Sequence, residues 1–351
     1  MSDATTESVP SGARTTDLRG GSGSAGPTSP PEAPITTSTT PVKPVVRPGD
    51  RIFSGLAKGS GIFVILLIAA VAAFLVLRAV PALQRDQVNF FTSREFDTTT
   101  DVNALRFGIL DLFGVTITVS LMALVLATPV ALGIAIFLSQ YAPKRVVGPL
   151  SYVVDLLAAV PSIVYGLWGL LVLAPVLNPV GNWFHDELGF VFLFSRDSGS
   201  GVGGTIFLGG VVLAVMILPI ITAVTREVFV QTPVSQIEAA LALGATRWEV
   251  VRTCVLPFGK SGFVSGAMLG LGRALGETIA LYIILRTTSN AFGYSLFEGG
   301  ATFASKIALG SGEFNNNIVA GAYIAAGLVL FVLTFVINSL ARAAVAGKKE
   351  R

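Results

Sequence analysis

The sequence is poor in charged residues, in cysteine and in histidine. Only 13% of its 351 residues are charged, about half the share found in soluble domains. The single cysteine, Cys254, excludes an intrachain disulfide and a zinc site built from several cysteines. The single histidine, His185, excludes a histidine cluster as a metal centre and most histidine-based catalysis. We therefore expect a chain that binds no metal and no cofactor of its own.

What the sequence has instead is long hydrophobic runs, and 52% of its residues are hydrophobic. The mean hydropathy of +0.73 excludes an ordinary soluble domain. It also excludes disorder along the whole chain, because disorder requires low hydrophobicity. The formal net charge of +3 is small, so we expect no nucleic-acid partner. These features predict a multi-pass membrane protein surrounded by a lipid bilayer.

Residues 1–50 differ in composition from the rest of the chain. They contain 8 of the 18 prolines, together with many serines and threonines, and they contain no aromatic residue. Such a segment buries too little apolar area to offset the entropy lost on ordering. We predict a disordered cytoplasmic tail over 1–50 and a transmembrane domain over 51–351.

Six apolar stretches of the transmembrane domain are long enough to cross a bilayer as helices, which takes about 20 residues. Lys and Arg are concentrated in the flanks and connections that six spans place on the side of the two termini. We therefore expect both termini in the cytoplasm. The expected fold class is all-α, a polytopic membrane protein with six transmembrane helices. The spans are predicted near 61–81, 112–138, 151–177, 204–229, 262–287 and 317–343.

The cytoplasmic connection between the fourth and fifth spans, residues 232–257, has the local signals of two short helices. Thr232 is a good N-cap, and the proline after it suits the first helical position. Gly244 suits the left-handed residue that ends a helix. Thr246 and the glutamate three positions later form a capping box that starts a second helix, and Pro257 is expected to interrupt that helix. We call this helix–glycine–helix segment the elbow.

Span five carries small and charged residues along one side. At 100° per residue, Gly262, Gly266, Gly270, Arg273 and Glu277 fall within an arc of about 80°. Glycines at this spacing let a neighbouring helix approach closely. The two charged residues are spaced so that they can pair, and such a pair can lock two helices together. Alternatively, the arginine offers a guanidinium fork to an oxyanion, and the glutamate holds the arginine or competes with the anion. Intramembrane charges are candidates for a functional site by default.

Span three contributes two weaker candidates for the substrate path. Ser162 and Tyr165 lie beside Pro161, where a kink would free backbone groups to face a path. Asp155 lies near the cytoplasmic end of the span and is equally well explained as an interfacial residue.

The elbow resembles the Glu-Ala-Ala loop of ABC-importer permeases. In that loop, Glu-Ala-Ala is followed by three residues, Gly, nine residues, a hydrophobic residue, one residue and Leu-Pro. The matching positions are Glu238, Ala239, Ala240, Gly244, Leu256 and Pro257, with Cys254 at the hydrophobic position. That departure is mild, since a buried cysteine behaves as a small apolar residue. The resemblance implies that the elbow docks as a coupling helix in a groove of a cytoplasmic ATPase, with Arg247 and Trp248 as candidates for that contact.

A second resemblance lies in span five, where residues 270–278 read Gly-Leu-Gly-Arg-Ala-Leu-Gly-Glu-Thr. This stretch is similar to the signature of the PstC-type permeases of bacterial phosphate importers. The stretch Asp155–Gly166 in span three is similar to the same group. The group's transport depends on an arginine and a glutamate of this span, which the motif places at Arg273 and Glu277. The resemblance covers residues 60–345.

The resemblance implies the type I ABC-importer permease fold, in a subunit that forms the translocation path for inorganic phosphate. It implies as partners a homologous second permease, two ATPase subunits and an extracellular phosphate-binding protein, in a bacterial plasma membrane. The chain itself has no recognisable ATPase site. Its nearest approach to a P-loop, residues 258–261, has Cys254 where the motif requires glycine. ATP and Mg²⁺ are therefore expected on the partner ATPase.

Three other functions share part of these features. A permease for another oxyanion, such as sulfate or molybdate, would have the same elbow, and only the span-five signature opposes it. A secondary anion transporter would use an ion gradient and need no ATPase. A sensor subunit would report phosphate status without carrying phosphate.

Overall fold

The computed structural model describes residues 48–98, 105–195, 201–287, 291–314 and 316–346. Six helices within these ranges are long and apolar enough to cross a bilayer. The predicted all-α class with six spans is therefore confirmed. The predicted tail lies outside the described residues except for its last positions, where the first helix has already begun.

The helices are named in chain order. They are α1 (Pro48–Leu83), α2 (Leu110–Ile136), α3 (Lys144–Ala159), α4 (Ser162–Trp168), α5 (Ala174–Leu188), α6 (Ile206–Val230), α7 (Val234–Ala242), α8 (Arg247–Val250), α9 (Leu256–Leu275), α10 (Ile279–Ile284), α11 (Phe303–Leu309) and α12 (Asn317–Ala346). Within the described ranges, π-helical turns occupy Phe137–Tyr141, Gly169–Leu173 and Val251–Val255, and 3-10 turns occupy Phe192–Phe194 and Gly310–Glu313. Two short strands, β1 (Phe96–Asp97) and β2 (Arg106–Phe107), pair antiparallel.

Four spans correspond to helices close to where the sequence places them. The stretches expected at 112–138, 204–229 and 317–343 lie in α2, α6 and α12. The stretch expected at 61–81 lies in α1, which begins earlier, at Pro48. Proline and the nearby Asp50 both suit the first turn of a helix. The expected start of the transmembrane domain at residue 51 therefore falls inside α1.

The third span is displaced from the expected range 151–177. Val160 and Pro161 have extended backbone, with ψ angles of 130° and 137°, because a proline ring disfavours the helical conformation at the residue before it. The helix α3 therefore ends before the proline, and the spanning helix runs over Ser162–Leu188. His185, expected in an outer loop, lies near the end of this helix.

The fifth span also differs from its expected range, 262–287. The spanning helix covers Arg247–Leu275 and includes the second helix of the elbow. Pro257 does not interrupt it, because the π-helical turn Val251–Val255 precedes the proline and places it in the first turn of α9. The interruption occurs instead at Gly276, and the last part of the expected span is a separate short helix, α10.

The helix α6 lies at the centre of the packing. In its most apolar window 72% of residues are buried inside the chain, against at most 33% for the other five spans. Its contact with α9 depends on the predicted glycine stripe. A Cβ atom at Gly262 would lie 2.6 Å from Cβ of Val228, and one at Gly270 would lie 2.8 Å from Cγ1 of Ile221. These glycines therefore face α6 and allow close approach of the two helices.

The two ends of α6 identify two ends of the molecule. At its N-terminus, the amide of Ile206 donates to the carbonyl of Glu298 at 2.9 Å, and the amide of Phe207 donates to the carbonyl of Leu296 at 2.7 Å. Its C-terminus leads directly into the elbow. A helix of 25 residues is roughly 37 Å long. The segment that precedes α11 therefore lies at one end of α6, and the elbow lies at the other end.

Candidate functional site

The break between α9 and α10 holds the two charged residues predicted in span five. Arg273 lies in the last turn of α9 and is exposed, whereas Glu277 lies beyond the end of the helix and is buried. The carboxylate Oε1 of Glu277 accepts a hydrogen bond from the amide of Ala280 at 3.1 Å, which caps the N-terminus of α10. Within the described residues the two side chains form no ion pair. Glu277 is therefore committed to the backbone of α10.

The predicted residue Tyr165 lies beside this break. The helix α4 packs on α10, and a Cβ atom at Gly166 would lie 3.0 Å from Cα of Ala280. The Tyr165 side chain is buried and experiences the positive charge of Arg273. Its hydroxyl donates to the carbonyl of Leu157 at 2.7 Å. The structure thus places α4, which carries Tyr165, against the N-terminal turn of α10, which Glu277 caps.

The carbonyl of Leu157 lacks its usual helical donor, and Tyr165 donates to it instead. In a continuous helix this oxygen would accept from the residue four positions later, but that residue is Pro161, which has no N–H. The amide of Val160 reaches it only at 3.4 Å, and the Tyr165 hydroxyl supplies a closer donor. Ser162 begins α4 and is half-buried. No hydrogen bond within the described ranges joins Ser162 to Arg273 or Glu277.

The elbow has the geometry that its sequence predicts in its second half. Gly244 has a φ angle of +85° and follows α7. Thr246 caps α8, since its Oγ1 accepts from the amide of Glu249 at 3.3 Å, and the Thr246 amide donates to Oε2 of Glu249 at 2.7 Å. The predicted N-cap at the start of the elbow is wrong. Pro233 occupies that position, and the Thr232 hydroxyl donates to the carbonyl of Phe229 at the end of α6.

The elbow residues predicted to couple to an ATPase lie on the surface. No residue of α7 is buried, and Leu243 and Trp248 are 90% and 56% exposed. Among the predicted residues, Glu238, Ala239, Gly244 and Arg247 are exposed and Ala240 is half-buried. The thiol of Cys254 donates to the carbonyl of Gln236 at 3.7 Å, which connects α7 to the start of span five. The elbow is therefore a fixed surface feature with an uncovered apolar side.

The sequence pattern does not indicate the importance of Gly166 and Ala280. Both are small residues whose close contact brings Tyr165 next to the break in span five. Small residues at helix contacts leave a recognisable spacing only when they repeat along a helix. Here each helix contributes one residue, so no periodic signal was present.

Comparison with known proteins places the chain in a family. The family model described as "Binding-protein-dependent transport system inner membrane component" matches residues 128–349. The chain is 56% identical to "Phosphate transport system permease protein PstC 2" of Mycobacterium tuberculosis over 303 residues, which cover 86% of this chain and 93% of that protein. It is 58% identical to the PstC protein of Mycobacterium leprae over 305 residues, which cover 87% and 95% of the two chains. For the PstC protein of Mesorhizobium japonicum the identity is 37% over 299 residues, covering 84% and 89%. The chain therefore belongs to the inner-membrane components of binding-protein-dependent transport systems, and within them to the PstC-type permeases.

Proposed function

We propose that this chain is the membrane subunit of an ATP-driven importer for inorganic phosphate and forms part of its translocation path. The observation that carries the proposal is the 56–58% identity, over almost the full length of the relatives, to proteins named as phosphate transport system permeases. The six apolar helices are consistent with that role. No feature of the described residues favours sulfate or molybdate over phosphate.

Arg273 is the proposed contact for the anion in the path. Its side chain is exposed on a membrane-spanning helix, where an unneutralised charge is costly unless it faces a cavity or another protein. Arg273 forms no ion pair within the described residues, which leaves the guanidinium available to an oxyanion. Tyr165 lies within range of the positive charge of Arg273 and would form one wall of the path. Ser162, one turn earlier on α4, is a further candidate for the wall of the path.

The elbow is the proposed contact for a cytoplasmic ATPase. Glu238, Ala239, Ala240 and Gly244 would place α7 in a groove of that subunit, with Arg247 and Trp248 beside it. The exposure of Leu243 and Trp248 supports this arrangement, because large exposed apolar side chains in one segment are typical of protein interfaces. Motion of the elbow would reach span five directly, because α8, the π-helical turn and α9 are continuous.

The complete transporter would contain a homologous second permease, two ATPase subunits and an extracellular phosphate-binding protein. ATP and Mg²⁺ would be bound by the ATPases, and this chain would bind no cofactor. Both termini would be cytoplasmic, in the plasma membrane of a bacterium. ATP-driven closure of the ATPases would push the elbows and open the path outward, and the docked binding protein would then release phosphate toward Arg273.

The test is transport by the complex reconstituted in proteoliposomes with its binding protein. We expect ATP hydrolysis to rise and anion to accumulate with phosphate, and neither to occur with sulfate or molybdate. Accumulation of sulfate or molybdate instead would show that this anion, and not phosphate, is the substrate. Accumulation driven by an ion gradient without ATP would show a secondary transporter. ATP hydrolysis that responds to phosphate without accumulation would show a sensor.

Replacing Trp248 by alanine should weaken the contact with the ATPase without unfolding the chain. The indole is 56% exposed, and truncation of an interfacial tryptophan commonly costs about 2 kcal/mol or more, or roughly thirtyfold in affinity. The measurement is the amount of ATPase that copurifies as the complex is diluted. Trp183 has the same exposure of 56% and lies near the end of α5, so Trp183→Ala is the matched control. Equal retention of the ATPase by both variants would place the docking contact elsewhere.

Replacing Glu277 should reveal its role as a helix cap. Glutamine retains an oxygen that accepts from the Ala280 amide, so we expect Glu277→Gln to transport at nearly the original rate. Glu277→Ala leaves that buried amide without a partner, which costs about 1–3 kcal/mol, and we expect uptake to fall roughly tenfold. The measurement is the initial rate of phosphate uptake. Equal loss in both variants would show that the negative charge itself is required.

A further inference from the structure

A cavity of about 510 Å³ opens near the N-terminal end of α6, on the side opposite the elbow. Its walls come from residues 94–97 and 108, the first turns of α2, residues 287, 291–292 and 299–301, and Lys306 on α11. Its charged lining residues are Arg94, Glu95, Asp97, Asp111 and Lys306, and Thr287 and Phe292 also line it. The cavity therefore combines two cationic side chains with three carboxylates, and Oε2 of one of them, Glu95, lies 3.2 Å from Nη2 of Arg106.

One wall carries Arg94 in a fixed position. Its Nη1 donates to the carbonyl of Phe292 at 3.0 Å and lies 3.8 Å from Oδ1 of Asp111. The other carboxylate oxygen of Asp111 accepts from the amide of Phe292 at 3.0 Å. A guanidinium has five N–H donors, so these contacts orient Arg94 and leave donors for a ligand. The side chain is 40% exposed.

Another wall carries Lys306. Its Nζ lies 4.8 Å from the ring centroid of Phe96. Burial lowers the pKa of Lys306, and the charges of Glu313 and Asp97 act in the opposite direction. Glu313 is also engaged elsewhere, since its Oε2 accepts from Thr98 at 2.8 Å and from Tyr323 at 2.9 Å. An anion in the cavity would therefore meet an ammonium group with reduced access to water.

We propose that this cavity binds a protonated oxyanion, with Arg94 and Lys306 donating to its bare oxygens and Asp97 and Asp111 accepting from its hydroxyl groups. On the proposed function, on which this inference rests, that anion is phosphate entering the permease. Phosphate at neutral pH carries at least one proton and can donate to a carboxylate. Sulfate carries none, so the same carboxylates repel it. The lining thus selects anions that carry a proton as well as a negative charge.

The size and position of the cavity suit a transient site. A water molecule occupies about 30 Å³ of liquid, so the cavity holds a phosphate ion together with several waters. Partial hydration keeps binding weak, as release along a path requires. Thr287 on the cavity wall follows closely after α10, whose other end is capped by Glu277. A six-residue helix is about 9 Å long, so α10 connects the cavity to the break near Arg273.

The test measures protection of a thiol in the intact complex and needs no transport. Ala301 lines the cavity, so Ala301→Cys in a Cys254→Ser background provides a single reactive thiol. The thiol reagent is the anion 2-sulfonatoethyl methanethiosulfonate. The rate of modification is followed by mass spectrometry. We expect millimolar inorganic phosphate to slow modification severalfold and sulfate at equal ionic strength to have no effect. Phe91→Cys, 68% exposed and outside the cavity lining, should react at the same rate under all conditions.

Two further substitutions in this background distinguish binding from a structural effect. Lys306→Gln should remove the protection by phosphate, because it removes one cationic donor. Asp97→Asn should increase the protection by sulfate, because it removes one of the carboxylates that repel this anion. Equal protection by both anions in the Ala301→Cys protein would overturn the selectivity, and absence of protection would overturn the site. Phosphate uptake by the unsubstituted complex is measured in parallel, and its absence would contradict the proposed function independently of the labelling result.

Discussion

Replacing Arg273 by glutamine should strongly slow phosphate uptake while the complex still assembles. The side chain is exposed within this chain, so its removal leaves no cavity in the helix packing. Within the described residues Glu277 forms no ion pair with Arg273. A hydrogen bond from a charged group contributes about 1.5–3 kcal/mol, so loss of this donor should slow uptake by roughly tenfold to a hundredfold.

The lysine variant at the same position is the control. Arg273→Lys retains the positive charge but loses the planar fork that binds two oxygens of an oxyanion. We expect its initial rate of phosphate uptake to lie between those of the unsubstituted and glutamine proteins. Unchanged uptake by Arg273→Gln would remove this residue from the path. Loss of the assembled complex in both variants would show instead that Arg273 locks span five to a neighbouring subunit.

The parts of the structure that depend on neighbouring residues could be predicted from the sequence. Hydropathy locates six spans because each span is a continuous apolar stretch. The left-handed Gly244 and the capping box at Thr246 follow from side chains within a few positions of one another. The glycine stripe of α9 faces α6 because its spacing matches the helical repeat.

The parts that depend on distant residues could not be predicted. Hydropathy over 262–287 does not distinguish one helix from two, and the break at Gly276 is stabilised by Glu277 and by the packing of α4 on α10. The sequence indicates a kink at Pro161, but it does not indicate that the Tyr165 hydroxyl reaches across the kink to the carbonyl of Leu157. The cavity at the other end depends on Arg94 and Phe292, which are 198 positions apart. No local pattern records such a contact.

Alanine at Gly259 and Gly262 should destabilise the membrane domain. A Cβ atom at Gly259 would overlap the ring of Phe229, which is fully buried, and one at Gly262 would lie 2.6 Å from Cβ of Val228. Overpacking of this kind costs about 1–3 kcal/mol for each site. The two residues share the contact between α9 and α6, so the double alanine variant should unfold at a clearly lower temperature than the unsubstituted protein.

Gly272 provides the matched control for these substitutions because it lies on the same helix. A Cβ atom there would have no other atom within 4 Å, and alanine favours a helix over glycine by up to about 1 kcal/mol. Gly272→Ala should therefore keep or slightly raise the unfolding temperature, measured as the fraction of monodisperse protein that survives heating in detergent. If alanine at 259 and 262 were as well tolerated as at 272, α9 could move away from α6 at little cost. If the difference holds, the close packing of α9 on α6 contributes to the stability of the fold, as the overlap at Gly259 and Gly262 predicts.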